Sequence, residues 1–276
     1  MRSLHRAVDI LLCFKTVGPE LGVAEISRAC VLDKSTASRI AGDLCERQFL
    51  QRDPHSGKYR LGPQLLALAE AARGHIDLRR EALPHMRWLW EQLGETIRLS
   101  VVRGMERVCI EQIESRHELR RVIELNRPFP MHAGSSGKVL LAHLPPEMQA
   151  AILDAPLTAF TERTITSPER LRANLEQVRA QGHCIASGER AIGGFSMAVP
   201  VWDYSGRVVA SLSMSAPETR RDPARIEGWL EDLKTAASRI SISLGFDCPQ
   251  QEPSRQLQAA DVIVPGGARA DERRRE

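Results

Sequence analysis

Apolar residues recur at helical spacing in two consecutive segments near the start of the chain. The first segment is short, and its buried side is predicted to consist of Val23, Ile26 and Cys30. After a turn, Asp33 is predicted to be the N-cap of a second helix, because its carboxylate can accept hydrogen bonds from the free amides of the first turn. The buried face of this second helix is predicted to consist of Ala37, Ile40, Ala41 and Leu44.

Two short runs of strand-like sequence follow the helix pair, at 49–52 and 58–61. The residues between them include Pro54 and Gly57, which favour a hairpin loop. Two helices, a tight turn and a basic hairpin are typical of the winged helix-turn-helix, whose second helix enters the major groove of DNA. The alternative is a helical pair with a purely structural role, and the basic residues of the hairpin argue against it.

The exposed side of the second helix carries small hydroxyls and an arginine, which suit a close approach to a polar groove. The residues predicted to approach the major groove are Ser35, Thr36, Ser38 and Arg39. Among them, Arg39 is the best candidate for reading a base directly, because its guanidinium can donate two parallel hydrogen bonds. The residues predicted to bind backbone phosphates are Lys34, Arg52, His55, Lys58 and Arg60.

Helical patterns lie on both sides of this unit. Before it, an apolar stripe predicts a first helix that packs on the helix pair, and its members are Leu4, Ala7, Val8, Leu11, Leu12 and Phe14. After it, residues 63–80 are predicted to form a linker helix between two domains. Pro84 is predicted to restart a helix over 83–94, which would be the first helix of the second domain.

From Glu95 onward the apolar period changes to that of a strand. Strands are predicted at 97–103, 107–113, 119–125, 183–186, 196–202 and 207–215. Helices are predicted over 145–155, 167–181 and 222–244, and a loop at 131–144 feeds a further helix. The fold class is therefore predicted to be α+β: a winged helix-turn-helix joined by a linker helix to an antiparallel sheet flanked by helices.

The predicted domains are the winged helix-turn-helix at 1–62, the linker helix at 63–80 and the sheet domain at 81–247. The remaining residues, 248–276, are rich in Gln, Pro, Gly and Arg and are predicted to be disordered. The net charge is +3, and residues 1–62 contain ten Lys or Arg against seven Asp or Glu. The positive excess therefore lies where DNA binding is predicted, although its size indicates only moderate non-specific affinity.

The six cysteines are scattered singly along the chain, without a C-x-x-C pair. This pattern argues against a disulfide framework, a zinc site and an iron–sulfur cluster, and neither a metal nor a cofactor is predicted. No apolar run has the length of a membrane span, and the N-terminus lacks the apolar core of a signal peptide. The protein is therefore predicted to be cytoplasmic, without a membrane partner.

The strand at 207–215 alternates between apolar residues and Ser211, Ser213 and Ser215. Three short hydroxyls on one side indicate a close opposing surface, and the sequence leaves open whether this is a ligand pocket or a semi-exposed sheet face. The loop that contains Glu189 and Arg190 likewise fits either the edge of a cavity or a solvated pair.

Ser135 and Lys138 have the S-x-x-K spacing of serine acyl-transfer enzymes. The chain lacks the S-D-N and K-T-G partner motifs of those enzymes, and the segment does not match a P-loop. The favoured alternative is a small-residue loop at a helix start whose free amides and hydroxyls bind a carboxylate. Lys138 is then a structural or surface residue and not a base.

From about Leu4 to Leu244 the chain resembles the IclR-type transcriptional regulators. The motifs that carry the resemblance are KSTASRIAGDL in the second helix, R-D-x-x-x-G-K-Y-R-L-G in the hairpin, MHAGSSGKVLLAHLP, GHCIASGER, and AVPVWDYSGRVVASLSMSAP. Several motifs in the same order over this length make the resemblance specific.

The resemblance implies an N-terminal domain that binds double-stranded operator DNA and a C-terminal domain that binds a small organic or aromatic acid. It implies homodimers or homotetramers, with dimer contacts through the DNA-binding domain and the linker helix. It also implies an effector pocket lined by Ser135, Ser136, Ser196, Ser213 and Ser215. Ala186 and Ser196 replace an acidic residue and a cysteine of relatives that bind small keto acids, which argues against glyoxylate or pyruvate as the effector.

The function predicted on these grounds is that of a transcription regulator, a repressor or dual regulator of a catabolic operon, and not an enzyme. Two rival classes remain open to test. A serine hydrolase would use Ser135 and Lys138, and an interaction scaffold would show no change in thermal stability with any metabolite. The sequence leaves open the effector, the target operon, and the choice between dimer and tetramer.

Overall fold

The computed structural model describes residues 2–73 and 77–247. The chain divides into two compact units at the boundary between Leu78 and Arg79. The tail predicted to be disordered, 248–276, lies outside the described residues, as does part of the predicted linker, 74–76.

The first unit combines helices with a two-stranded hairpin. Its elements are α1 (Arg2–Thr16), α2 (Val23–Ala29), α3 (Lys34–Glu46), β1 (Leu50–Arg52), β2 (Tyr59–Leu61) and α4 (Gln64–Arg73). The hairpin is antiparallel, with Leu50 opposite Leu61, and a single bridge joins Leu21 to Tyr59. The predicted order of helix, turn, helix and hairpin is confirmed.

Helix α3 begins and packs as predicted. The Asp33 carboxylate accepts a hydrogen bond from the Thr36 amide at 2.7 Å, which confirms Asp33 as the N-cap. The buried residues of α3 are the four predicted ones, Ala37, Ile40, Ala41 and Leu44. They join one apolar core with Ile26 of α2 and with Ile10 and Phe14 of α1.

The predicted buried stripe of α1 is wrong for half of its members. Leu4, Val8 and Leu12 are 71%, 45% and 51% exposed. The buried side consists of Phe14, which belongs to the predicted stripe, and of Ile10 and Cys13, which do not. Because the two sets lie about half a turn apart on a 3.6-residue helix, α1 carries one apolar stripe toward the core and a second toward solvent.

Helix α5 (Leu78–Leu93) corrects the prediction that Pro84 restarts a helix. The helix begins at Leu78 and runs through Pro84 without a break. A proline in a helix interior removes a hydrogen bond and costs about 3 kcal/mol. The apolar face of α5 continues across it through Ala82, Met86, Leu89 and Leu93, each no more than 5% exposed, and this burial offsets the cost.

The second unit is built on a six-stranded antiparallel sheet. Its strands are β3 (Thr96–Arg103), β4 (Glu106–Ile113), β5 (Pro128–Pro130), β6 (Cys184–Ser187), β7 (Gly194–Trp202) and β8 (Val208–Pro217). Their order across the sheet is β5-β4-β3-β8-β7-β6. The remaining α-helices of this unit are α6 (Ser135–Ala142), α7 (Pro146–Asp154), α8 (Pro168–Gln181) and α9 (Ile226–Ser243). The predicted α+β class, with helices flanking an antiparallel sheet, is confirmed.

The predicted strand at 119–125 is wrong. Leu119 and Val122 are 66% and 47% exposed, so the apolar residues of this segment have no buried face to line. The backbone of Ile123 forms hydrogen bonds with a side chain and not with a neighbouring strand. The Ile123 amide donates to Gln112 Oε1, and Gln112 Nε2 donates to the Ile123 carbonyl. The edge strand beside β4 is instead β5.

None of the described helices is both long enough and apolar enough to cross a bilayer.

Candidate nucleic-acid interface and ligand cavity

The residues predicted to approach a major groove lie at the exposed start of α3. Lys34, Ser35, Ser38 and Arg39 are exposed, and Thr36 is half-buried. The Ser35 hydroxyl donates to Asp33 Oδ1 at 2.6 Å, so this side chain completes the cap and keeps only its acceptor lone pairs free. These hydrogen bonds from Ser35 and Thr36 hold the pKa of Asp33 well below its usual range. Arg39 lies 3.5 Å from Asp43, and both side chains are more than half exposed, so the pair is weak and exchangeable.

The loop of the hairpin is shaped by Asp53. Its Oδ1 accepts from the amides of His55 and Ser56, at 2.9 and 2.7 Å, and these bonds lower the pKa of Asp53. The residues predicted to bind phosphates from this hairpin are all exposed: Arg52, His55, Lys58 and Arg60. Arg52 is partly fixed, because its Nε donates to the Gly57 carbonyl and its guanidinium lies over the Tyr59 ring.

A cavity in the second unit brings the five predicted effector serines together. Ser135, Ser136, Ser196, Ser213 and Ser215 all line it. The cavity encloses about 550 Å³ that protein atoms do not fill, including its mouth toward solvent. Their role as effector ligands stays a prediction.

The serines come from three elements whose register sets the cavity wall. Ser196 on β7 is paired with Ser215 on β8. Ser135 and Ser136 open α6, where the Ser135 hydroxyl donates to Ser196 Oγ at 2.8 Å. The Ser136 and Ser211 hydroxyls are 2.6 Å apart, which ties α6 to β8. The side of β8 that carries serines is therefore not a semi-exposed sheet face, because Ser211 is fully buried against this helix.

Helix α6 packs closely against the backbone of Met131 because of Gly137. A Cβ at that position would lie 2.4 Å from the Met131 carbonyl oxygen, well inside van der Waals contact. Glycine therefore allows the helix to pack directly against the preceding backbone.

Lys138 is buried, which excludes a surface position. Its Nζ donates to Glu189 Oε1 at 2.6 Å, and Glu189 Oε2 accepts from the Gly134 amide at 3.0 Å. An ammonium paired in this way has no free electron pair with which to activate Ser135, so the geometry does not support an S-x-x-K hydrolase. The amide of Gly134 is likewise taken by a carboxylate of the chain itself, and is not open to a ligand.

The loop that contains Glu189 and Arg190 forms an edge of the cavity. The Thr164 hydroxyl donates to the Glu189 carbonyl at 2.6 Å, and the Thr161 hydroxyl donates to the Gly188 carbonyl at the same distance. The alternative of a solvated pair is therefore wrong, because Glu189 is paired in the interior and Arg190 is half-buried at the cavity.

The cavity wall contains four arginines: Arg98, Arg107, Arg121 and Arg190. The sequence reasoning missed the first three and left Arg190 open between the edge of a cavity and a solvated pair. Burial lowers the pKa of Arg107 to about 9 and that of Arg98 to about 10. Burial, with the nearby charges of Arg121 and Arg127, also lowers the pKa of Arg190. A signal for one of them was present, because Arg98 alternates with Ile97 and Leu99, two core residues, and is directly opposite Ser213 on β8.

Two of these arginines have a buried nitrogen without a hydrogen-bond partner in the described part of the chain. The atoms are Arg107 Nε and Arg190 Nη1. Buried polar groups in folded proteins are almost always paired, so we expect these two atoms to bind a group from outside the chain, either an ordered water molecule or a ligand. No cluster of three or more His, Cys, Asp or Glu suited to a metal ion occurs within 2–73 and 77–247.

Comparison with known proteins finds similarity to one family in both units of the chain. A model of the IclR helix-turn-helix domain matches residues 3–54, and a model of the bacterial transcriptional regulator IclR C-terminal domain matches residues 70–242. The HTH-type transcriptional regulator XynR of Escherichia coli (strain K12) is 35% identical over 247 residues, covering 89% of this chain and 98% of that protein.

Solved structures of the same family have a similar fold. A putative IclR transcriptional regulator from Silicibacter superposes with a TM-score of 0.83 at 29% identity, covering 92% of this chain and all of that one. An IclR homolog from Microbacterium hydrocarbonoxydans, solved in complex with 4-hydroxybenzoate, gives a TM-score of 0.57 at 31% identity, covering 88% of this chain and 98% of that one.

Proposed function

The chain belongs to the IclR family of bacterial transcriptional regulators, which are not enzymes, and on that premise we propose that it controls a catabolic operon in response to a small organic acid. The proposed domains are the DNA-binding unit at 1–62, the linker at 63–80 and the effector domain at 81–247. The observation that carries the proposal is the cavity of the second unit, where buried and half-buried arginines without an acidic partner line the same space as five serines.

The proposed DNA contacts are those of the α3 surface and the hairpin. Arg39 reads a base in the major groove, with Ser35, Thr36 and Ser38 beside it, and the phosphates are bound by Lys34, Arg52, His55, Lys58 and Arg60. Their exposure in the first unit supports this assignment. Ser35 contributes as an acceptor, because its proton is used in the cap.

The proposed effector site is the cavity that contains Ser135, Ser136, Ser196, Ser213 and Ser215. A carboxylate there offers the unpartnered guanidinium nitrogens of Arg107 and Arg190 the charged acceptor that they lack. The complex of the Microbacterium homolog with 4-hydroxybenzoate supports an acid as the ligand. The ligand changes operator affinity only if its own affinity differs between the conformation that binds DNA and the conformation that does not.

The proposed active form is a homo-oligomer, a dimer or tetramer, that binds a pseudo-palindromic operator in the cytoplasm. The second apolar stripe of α1, formed by Leu4, Val8 and Leu12, supports an interface in the DNA-binding unit, because isolated proteins rarely leave such a stripe exposed.

The role of Arg39 is tested by fluorescence anisotropy on the DNA upstream of the protein's own gene, with competitor DNA present. Arg39→Ala is expected to weaken specific binding roughly tenfold or more, because a bidentate contact to guanine contributes about 1–3 kcal/mol of discrimination. Arg103→Ala, an exposed arginine at the end of β3, is the matched control and is expected to bind like the unchanged protein. Equal affinity of the Arg39 variant and the control would contradict base reading by Arg39.

A further inference from the structure

The cavity wall carries more positive charge than the protein balances. Four guanidiniums line it, at Arg98, Arg107, Arg121 and Arg190, and none of them is ion-paired within the described residues. The acidic residue of the wall, Glu189, is already committed to Lys138. Buried charges are costly unless they are paired, so the excess indicates a ligand that brings negative charge with it.

The acidic residues elsewhere in the second unit relieve little of this excess. Glu111 on β4 is paired with Arg79, and Glu114 is paired with Arg120. The hydrogen bonds of Arg98 go to neutral oxygens, those of the Gln112 side chain and the Arg121 backbone. Arg98 is therefore satisfied as a donor but is not neutralised as a charge.

The ring of Phe129 on β5 orients the two arginines that have an unpartnered nitrogen. The Arg190 guanidinium lies 4.0 Å from the ring centroid and that of Arg107 lies 5.2 Å from it. Contact with an aromatic ring occupies the flat face of a guanidinium and leaves its N–H edge free, and that edge is the part that binds a planar carboxylate with two parallel hydrogen bonds.

The unpartnered nitrogens come from different elements, Arg107 Nε from β4 and Arg190 Nη1 from the loop before β7. One carboxylate can neutralise one guanidinium and would leave three positive charges in the wall. The rest of the wall is rich in hydroxyls, and Phe195 is buried at 1% exposure, so little aromatic surface faces the cavity. The wall therefore suits a compact ligand with separate anionic groups and polar atoms between them.

We propose that the effector is a small aliphatic dicarboxylic acid, with one carboxylate bound by Arg107 and Arg190 and the other held beside Arg98 and the serine wall. This inference rests on the proposed function of the cavity as the effector site and narrows the ligand from an acid to a dianion. Arg107 and Arg190 thereby determine the preference for a dicarboxylate over a monocarboxylate, because they bind the carboxylate that a monocarboxylate lacks.

The test is calorimetric titration of the full chain, at constant ionic strength, with pairs of acids that differ in one carboxylate. Suitable pairs are succinate and butyrate, malate and 3-hydroxybutyrate, and tartrate and threonate. At least one dicarboxylate is expected to bind tenfold or more tightly than its partner. Inorganic phosphate and 4-hydroxybenzoate complete the panel.

Variants of Arg107 and Arg190 test whether these two residues bind one carboxylate of the ligand. Arg107→Met is expected to lower the affinity for that dicarboxylate at least tenfold and to leave the weak binding of its monocarboxylate partner nearly unchanged. Arg190→Gln is expected to do the same and serves if the first variant does not fold. Arg127→Met is the control, because Arg127 also lies over the Phe129 ring but does not line the cavity.

Equal or tighter binding of the monocarboxylates, of phosphate or of 4-hydroxybenzoate would overturn the dicarboxylate inference and leave the proposed function intact. Absence of binding by every dicarboxylate of the panel would also overturn it. The regulator itself is tested separately, by the anisotropy measurement on operator DNA that compares Arg39→Ala with its control.

Discussion

Lys138 is among the largest side chains that are fully buried, and its ammonium and the Glu189 carboxylate form an ion pair in which the side chains are 2% and 11% exposed. The same carboxylate accepts from the amide at the start of α6, so a single residue closes the loop at 188–193 onto the helix that carries Ser135 and Ser136. The pair therefore acts as a fixed point of the cavity wall, although both partners are charged.

Lys138→Met is expected to destabilise the protein by about 3–5 kcal/mol, because it leaves the Glu189 carboxylate buried without its cation. The measurement is urea unfolding followed by circular dichroism. The double variant Lys138→Met with Glu189→Gln is expected to recover much of this loss, since it removes both charges. If the double variant were as unstable as the sum of the two single ones, the two residues would not be coupled.

At the scale of single residues, sequence reasoning located the serines of the cavity but missed Arg98, Arg107 and Arg121 of its four arginines. Serines that alternate with core residues are visible in one strand, and the family resemblance added those of α6. A charged residue within a strand, by contrast, ordinarily indicates a solvent-facing side. The burial of Arg98 and Arg107 arises only when distant segments cover them, as shown by the bond from Arg98 to the backbone of Arg121.

Among the elements, α6 depends on a close backbone approach and α8 depends on a turn at its end. Gly137 leaves no room for a Cβ beside Met131, whereas Gly182 ends α8 at φ +68° with open space around it. The two glycines are therefore required for different reasons, one steric and one conformational.

Gly182→Ala is expected to destabilise the protein by about 1–2 kcal/mol, the cost of a left-handed backbone for an L-residue. Gly137→Ala is expected to cost more, and also to abolish binding of the effector acid, because α6 must move away from the Met131 backbone and take Ser135 and Ser136 with it. Unfolding and ligand titration measure the two effects on the same samples. Intact ligand binding in the Gly137 variant would contradict the role of this approach.

Elements with a regular apolar period were predicted well, and the failures have identifiable causes. The buried face of α3 was correct because its cap and its period agree. The strand at 119–125 was wrong because its alternating apolar residues remain exposed and the Gln112 side chain bonds the backbone of Ile123 in place of a neighbouring strand. Pro84 did not break α5 because tertiary burial on both sides of it outweighs a local preference that the sequence alone displays.

For the whole molecule, the exposed stripe of α1 carries the prediction of self-association. Leu4→Glu combined with Leu12→Glu is expected to raise the dissociation constant of the oligomer at least tenfold, because each leucine contributes roughly 1.5–3 kcal/mol when buried at an interface. Sedimentation equilibrium measures the change. Met105→Glu, in an exposed turn of the second unit, is the control and is expected to leave the oligomer intact. An unchanged dissociation constant in the double variant would place the interface elsewhere.

The outermost strands of the six-stranded sheet are also its shortest. Strand β5 has three residues, two of them prolines, and β6 has four. Beyond the three residues that β5 pairs, the Asn126 amide donates to the Cys109 carbonyl of β4, and the Ile123 backbone exchanges hydrogen bonds with the Gln112 side chain. Short, proline-bearing edges are poor templates for a strand from another chain. These edges are therefore expected to resist strand addition by another chain, and we expect the proposed homo-oligomer to form through side-chain surfaces, which can build closed, symmetric assemblies.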